Sequence, residues 1–244
     1  SRDINKPGRE TRIEKVEAYS ANFDFTKTLV ENNTLFYGAE AVWNDVNSIG
    51  IDENIVTNVI KDGATRYPQS TWGSYGVYLT DQHHFSDKFM LQAGLRYSMY
   101  MLDASFDTTF YPFPYTTANV SNGAVTESIG FVYKPSDKWV ISANGATAFR
   151  SPNVDDLGKV FDSEPGSVIV PNPDLEAEYA YNADLGLSKV FGKSVKIYTT
   201  GYYTILQNAM VRRDFQLNGL DSIMYDGEMS KVQAIQNAAL AHVY

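Results

Sequence analysis

Residues 89–100 read FMLQAGLRYSMY. Phe89, Leu91, Ala93, Leu95, Tyr97 and Met99 share one parity, and Met90, Gln92, Gly94, Arg96, Ser98 and Tyr100 share the other. Alternation kept up this long gives a strand with one apolar and one polar face. The same period recurs upstream. In 19–26, Tyr19, Ala21, Phe23 and Phe25 alternate with Ser20, Asn22, Asp24 and Thr26. In 35–44, Leu35, Tyr37, Ala39, Ala41 and Trp43 oppose Phe36, Gly38, Glu40, Val42 and Asn44. Further strands are predicted at 72–82, 125–134, 138–149, 178–189, 194–205 and 231–244. Helices are disfavoured, because the 3.6-residue repeat is missing and Thr, Tyr and Gly are frequent inside these segments.

The links between strands alternate in length. Short ones fall at 83–88 (HHFSDK), 134–138 (KPSDK) and 191–194 (FGKS), and long ones at 45–70, 102–124, 150–177 and 207–230. Ser86-Asp87-Lys88-Phe89 and Ser136-Asp137-Lys138-Trp139 form a weak repeat, each leading from a turn into an alternating strand. Short turns at one end and long loops at the other are the arrangement of outer-membrane barrels. Strand length points the same way. A tilted strand needs roughly 9–11 residues to cross a bilayer, whereas soluble strands run nearer five or six. Trp139 and Phe149 end the apolar parity of one such strand, and Tyr179, Tyr181 and Phe191 bracket another, as two membrane interfaces would select.

The predicted fold is therefore all-β, an antiparallel up-and-down meander of about nine long strands forming part of a transmembrane β-barrel. Barrels of single bacterial chains have even strand numbers. Nine strands without a leader segment predict that 1–244 is one partial barrel domain. Leu91, Leu95, Ile141 and Leu185 are expected to face lipid, and Gln92, Arg96, Asn144 and Asp184 the lumen. The alternatives are a passive porin and a soluble all-β binding module.

Composition fits this reading. The 244 residues carry a net charge of −9, no cysteine and 14% aromatics, with 17 Tyr and 13 Phe against three Trp. No apolar run is long enough for a membrane helix, which barrel strands do not require. An acidic balance disfavours nucleic acid as a partner. Without cysteine there are no disulfides, thiolate metal sites or thiol nucleophiles.

Residues 149–187 read FRSPNVDDLGKVFDSEPGSVIVPNPDLEAEYAYNADLGL. This stretch resembles the barrel segment of TonB-dependent receptors, in which F-R-A-P is followed by a loop, then N-P-x-L-x-x-E, then a strand. The matching residues are Phe149, Arg150, Ser151 and Pro152, then Asn172, Pro173, Asp174, Leu175 and Glu178, with Ser151 where the family more often has Ala. The resemblance implies a twenty-two-stranded barrel in the outer membrane of a Gram-negative bacterium, plugged by an N-terminal domain. Such receptors import a siderophore, haem, cobalamin or saccharide using energy delivered through the TonB complex. The implied partners are outer-membrane lipid, the plug, TonB and a small-molecule ligand.

Parity places Arg150 on the lumen side at a strand end, with Glu178, Asn182 and Asp184 on the polar face of the next strand. Arg150, Asn172, Asp174 and Glu178 are the candidates for contact with the plug or the ligand, and plug or wall contact is the expectation over direct ligand contact. In 102–124, Phe110, Tyr111, Phe113 and Tyr115 crowd around two prolines. Such rings can stack on a macrocycle, catecholate or sugar, or pack on one another over the mouth.

Metal and catalytic sites are not expected. His83 and His84 fall in a predicted turn with no evident third ligand. Asp155, Asp156, Asp162 and Glu164 match no EF-hand spacing and read as an acidic loop. Haem receptors of the resembled family tend to carry a ligating His between the two motifs, and 153–171 contains none. No nucleophile–base arrangement is evident, so no enzyme and no cofactor are predicted.

Overall fold

The computed structural model describes residues 7–110, 113–158, 161–164, 166–225 and 227–244. Their elements run β1 (Gly8–Val30), β2 (Asn33–Asn54), β3 (Val59–Gly63), β4 (Gln69–Ser86), β5 (Phe89–Ser105), β6 (Thr117–Ser136) and β7 (Trp139–Arg150). After β7 come α1 (Val154–Gly158), β8 (Phe161–Glu164), β9 (Ser167–Ile169), β10 (Glu178–Phe191), β11 (Val195–Asp214), β12 (Ser222–Tyr225) and β13 (Glu228–Val243). Nine of the strands are long, and they pair antiparallel in the order β1-β2-β4-β5-β6-β7-β10-β11-β13. That is the expected meander, with each predicted strand in its predicted place.

The strands outrun their predicted bounds, mostly at the long-loop end. They span 12 residues in β7 to 23 in β1. At the other end the turns are tighter than the polar sequence suggests. The stretch 83–88 was expected to be a turn, but β4 continues to Ser86, so His83 and His84 lie within the strand. Their polarity is met across the ladder. His83 Nδ1 lies 3.2 Å from Asn33 Nδ2, and the His84 N–H donates to the Asn32 carbonyl at 2.8 Å. Only Asp87 and Lys88 make the turn, and Asp137 and Lys138 make its twin between β6 and β7. In both turns the serine hydroxyl accepts the lysine N–H, Ser86 from Lys88 at 3.3 Å and Ser136 from Lys138 at 3.4 Å. The repeated Ser-Asp-Lys-aromatic string is one turn device used twice.

Register shows the slant of the strands. One row of paired residues runs Leu35, Asp81, Ala93, Ile129, Gly145, Ala183, Tyr203. Leu35 is the third residue of β2, Ala93 the fifth of β5, Gly145 the seventh of β7 and Tyr203 the ninth of β11. A drift of two residues per hairpin, at ~3.4 Å each over two strand spacings of ~4.8 Å, is a tilt of about 35°. Barrel closure demands a constant stagger of this kind.

The apolar parity is exposed along the whole sheet: Phe23, Tyr37, Val77, Leu79, Leu95, Tyr97, Ile129 and Leu185 all lie open. Buried apolar residues sit elsewhere, on the opposite parity at the long-loop end. There Leu102, Ala104, Ala118 and Val120 form a core with Val154 and Leu157 of α1. Along β5 the polarity thus inverts. Leu95, Tyr97 and Met101 are exposed, but the next two residues of that parity are Asp103 and Ser105, while their former polar face supplies Leu102 and Ala104. In β6, Asn119 and Ser121 give way in the same fashion to Val125, Ile129 and Phe131. Such a strand meets an apolar medium on one face along its lower part. Higher up it has water on that face and protein on the other.

Candidate functional site

The site grows from the end of β7. Arg150 is its last residue and pairs in register with Glu178, the first of β10. Beyond it, Pro152 has no N–H to offer a ladder and the chain leaves the sheet. Asn153 then starts α1 by reciprocal capping: its side-chain oxygen accepts the Asp156 N–H at 2.9 Å, and the Asp156 carboxylate accepts the Asn153 N–H at 3.2 Å. The same carboxylate receives Arg150 Nη2 at 2.5 Å, and the Tyr67 hydroxyl donates to Asp155 at 2.9 Å. Leu157, fully buried, anchors α1 in the core described above.

The next described residues, from β8 to Asn172, are held at a distance from β7. Their strand β9 pairs in parallel with β13, so the segment passes over β10 and β11 to reach the far edge of the sheet. Val168 and Val170 pack there with Val232, Ala234 and Leu217. Asn172, 7% exposed, is the staple. Its N–H donates to the Leu157 carbonyl at 3.0 Å, and its side-chain Nδ2 donates to the Ile235 carbonyl at 2.8 Å. Asn172 Oδ1 also accepts the Asp174 N–H at 3.2 Å. Glu178 accepts the Met210 N–H of β11 at 2.9 Å, beside Asn208 with its φ of 54°. The described residues of 151–177 therefore form a plate across the long-loop end, lying on the face of the sheet that is polar lower down.

Among the predicted site residues, Asn172 and Glu178 are bound to neighbouring backbone. Arg150 stays 47% exposed despite its ion pair with Asp156, and Asp174 is exposed. Phe113 and Tyr115 stack at 5.7 Å, and each meets the edge of Phe106. The Tyr115 hydroxyl donates to the Pro171 carbonyl at 2.6 Å, tying this loop to the plate. Burial, with a smaller contribution from Asp174, holds the Tyr115 phenol well above its ordinary pKa. Phe110 is 37% exposed, beside a crevice lined by Arg66, Tyr67 and Phe113, while Tyr111 lies outside the described residues. Of the acidic loop residues, Asp155 and Asp156 are engaged by Tyr67 and Arg150, and Asp162 and Glu164 fall in β8.

Lower on the polar face are contacts that the sequence did not disclose. Arg96 reaches across Gly76 to pair with Glu40, and Tyr78 reaches across Gly38 to donate to Asp24 at 2.5 Å. A Cβ on Gly76 would stand 2.8 Å from Arg96 Cζ, and one on Gly38 2.8 Å from the Tyr78 ring. Only glycine leaves these paths open. Further round, Asn144 and Asn182 both donate to Asp184, at 3.2 and 3.1 Å, and Thr204 donates to Asn182 at 2.7 Å. Glycine inside a polar parity was the available signal, but it means little until register shows which long side chain lies opposite.

The TonB dependent receptor-like β-barrel family matches residues 3–236. This chain belongs to that family. No curated protein matches it. Among solved structures, copper transporter OprC superposes with a TM-score of 0.73 at 15% identity, over 96% of this chain and 34% of its own. The Serratia marcescens hemophore receptor HasR, solved as a double mutant with its hemophore HasA and heme, gives 0.65 at 12%, over 96% and 38%. The FrpB iron transporter from Neisseria meningitidis (F3-3 variant) gives 0.58 at 19%, over 93% and 31%. At these identities the likeness is one of fold. The chain spans about a third of the length of each of these structures. In a TonB-dependent receptor barrel the apolar face is the lipid face and the polar face lines the lumen.

Proposed function

We propose that this chain supplies nine adjacent strands of an outer-membrane, TonB-dependent receptor that takes up a scarce small molecule. The observation that carries the reading is the plate across the long-loop end of the sheet. The Phe149–Pro152 and Asn172–Glu178 motifs build it, fasten it to β11 and β13, and leave Arg150 and Asp174 exposed. An arginine fork and exposed polar groups there suit a carboxylate, carbonyl or hydroxyl of a plug loop or of the cargo. Phe110, at the crevice beside Arg66, offers an aromatic surface at the same end. The similar structures are named for copper, iron and heme, which favours a metal-bearing cargo over a saccharide.

The test is uptake by cells carrying the full-length receptor, supplied in turn with radiolabelled ferric siderophores, haem and copper under limitation. The account expects uptake of one of them, lost on deleting the receptor and equally on deleting TonB. Uptake that needs the receptor but persists without TonB would instead make this the wall of a passive channel.

A further inference from the structure

Two side chains of opposite charge stand on the lipid face near the short-turn end. Lys27, Leu35 and Asp81 are consecutive in one register row, on the parity of Tyr37, Leu79 and Leu95. Lys27 and Asp81 are thus two strand spacings apart, roughly 10 Å between Cα atoms, with a leucine floor between them. An ionisable group on a lipid-facing surface is unfavourable without a partner and marks a site by default. Asp81 receives Asn33 Nδ2 at 2.9 Å, and the same nitrogen lies 3.2 Å from His83 Nδ1. This fixes the carboxylate toward the turn end, and among the described residues no cation pairs with it. Beside the cluster runs an aromatic belt: His83 against Phe85 at 4.4 Å, Phe85 against Phe89 at 5.5 Å, Phe89 against Phe131 at 6.2 Å. Aromatic belts of this kind mark headgroup depth.

We propose that Lys27, Leu35, Asp81 and Asn33 form a seat for one zwitterionic phospholipid headgroup with a primary ammonium, of the phosphatidylethanolamine type, in the leaflet next to the short turns. The complementarity is in the order of charges. The ammonium donates to the Asp81 carboxylate, and the phosphate meets Lys27 across Leu35. An anionic phosphoglycerol headgroup leaves Asp81 without a cation and adds repulsion. A trimethylated ammonium has no N–H to donate. The inference rests on the membrane reading above, so its test separates the two.

The full-length receptor is reconstituted in nanodiscs of equal phosphatidylethanolamine, phosphatidylglycerol and phosphatidylcholine, and lipids retained after detergent stripping are counted by native mass spectrometry. Heat-modifiable gel mobility checks that the barrel is assembled. The expected result is a phosphatidylethanolamine excess of about fivefold, the ratio one partly exposed ion pair supplies. Asp81→Asn should bring retention to parity and Lys27→Gln should lower it, while Glu127→Gln, on the same face nearer the other end, should leave it unchanged. Equal retention of all three lipids by the assembled parent overturns the seat and shows that Lys27 and Asp81 serve each other. A preference that survives Asp81→Asn overturns it as well. Failure of the parent to assemble in any bilayer counts against the membrane reading instead.

Discussion

Arg150 shows how one residue serves wall and mouth together. Its guanidinium holds Asp156, which in turn caps α1, so the arginine fixes where the plate starts. It is half exposed, so that ion pair contributes at most about 1 kcal/mol of fold stability. Arg150→Ala is expected to leave barrel assembly intact, lower ligand uptake per folded barrel several-fold and speed proteolysis within 151–177. Normal uptake would make Arg150 a wall contact alone. Tyr115 gives a pH signature at the same place. Its phenol is held above the ordinary value of 10.0, so the neutral form is the one the fold favours. The stabilisation is complete below pH 10 and drains away as pH rises from there toward the displaced pKa. In difference spectra Tyr115→Phe should remove one late-titrating phenol and, through the lost bond to Pro171, cost about 1 kcal/mol. An unchanged titration curve would contradict the buried placement.

At the scale of strands, alternation did most of the predictive work, and its limits are physical. Period two holds wherever one face meets a uniform medium, so 89–100, 19–26 and 35–44 were legible at once. Above the membrane the media change sides, the pattern inverts, and Leu102 to Val120 reads as a long loop although β5 and β6 supply much of it. His83 and His84 were misplaced for a related reason, since polar residues inside a strand look like a turn until their cross-strand partners are known. The plate was legible only as a motif. That Asn172 clasps β13 follows from three-dimensional proximity of residues about sixty apart in sequence, which no local pattern encodes. The strand faces themselves make a direct prediction. Leu95→Arg puts a charge toward lipid and should destabilise the barrel by roughly 2–4 kcal/mol, whereas Gln92→Arg on the same strand should be nearly neutral. Urea midpoints of the folded full-length receptor would show the difference, and equal midpoints would sink the assignment of faces.

For the molecule as a whole, three observations converge on one geometry. The register drift gives barrel-like tilt, the exposed apolar parity is the face the proposed reading turns to lipid, and the inversion near residue 101 is where that reading ends the bilayer. Aromatic contacts agree with that height: Tyr19–Trp43 at 5.9 Å and Phe149–Tyr179 at 5.6 Å toward the long-loop end, and Lys189 over Trp139 at 4.3 Å toward the turns. The most direct measurement is a nitroxide scan of β5 and β6 in the reconstituted full-length receptor, reading each site's accessibility to oxygen and to an aqueous nickel chelate. The account predicts oxygen maxima at odd positions from 89 to 101 and from 125 to 133, with the same parity turning to nickel accessibility at 103, 105, 119 and 121. Oxygen and nickel accessibility that alternate without inverting, or that fail to alternate at all, would contradict it.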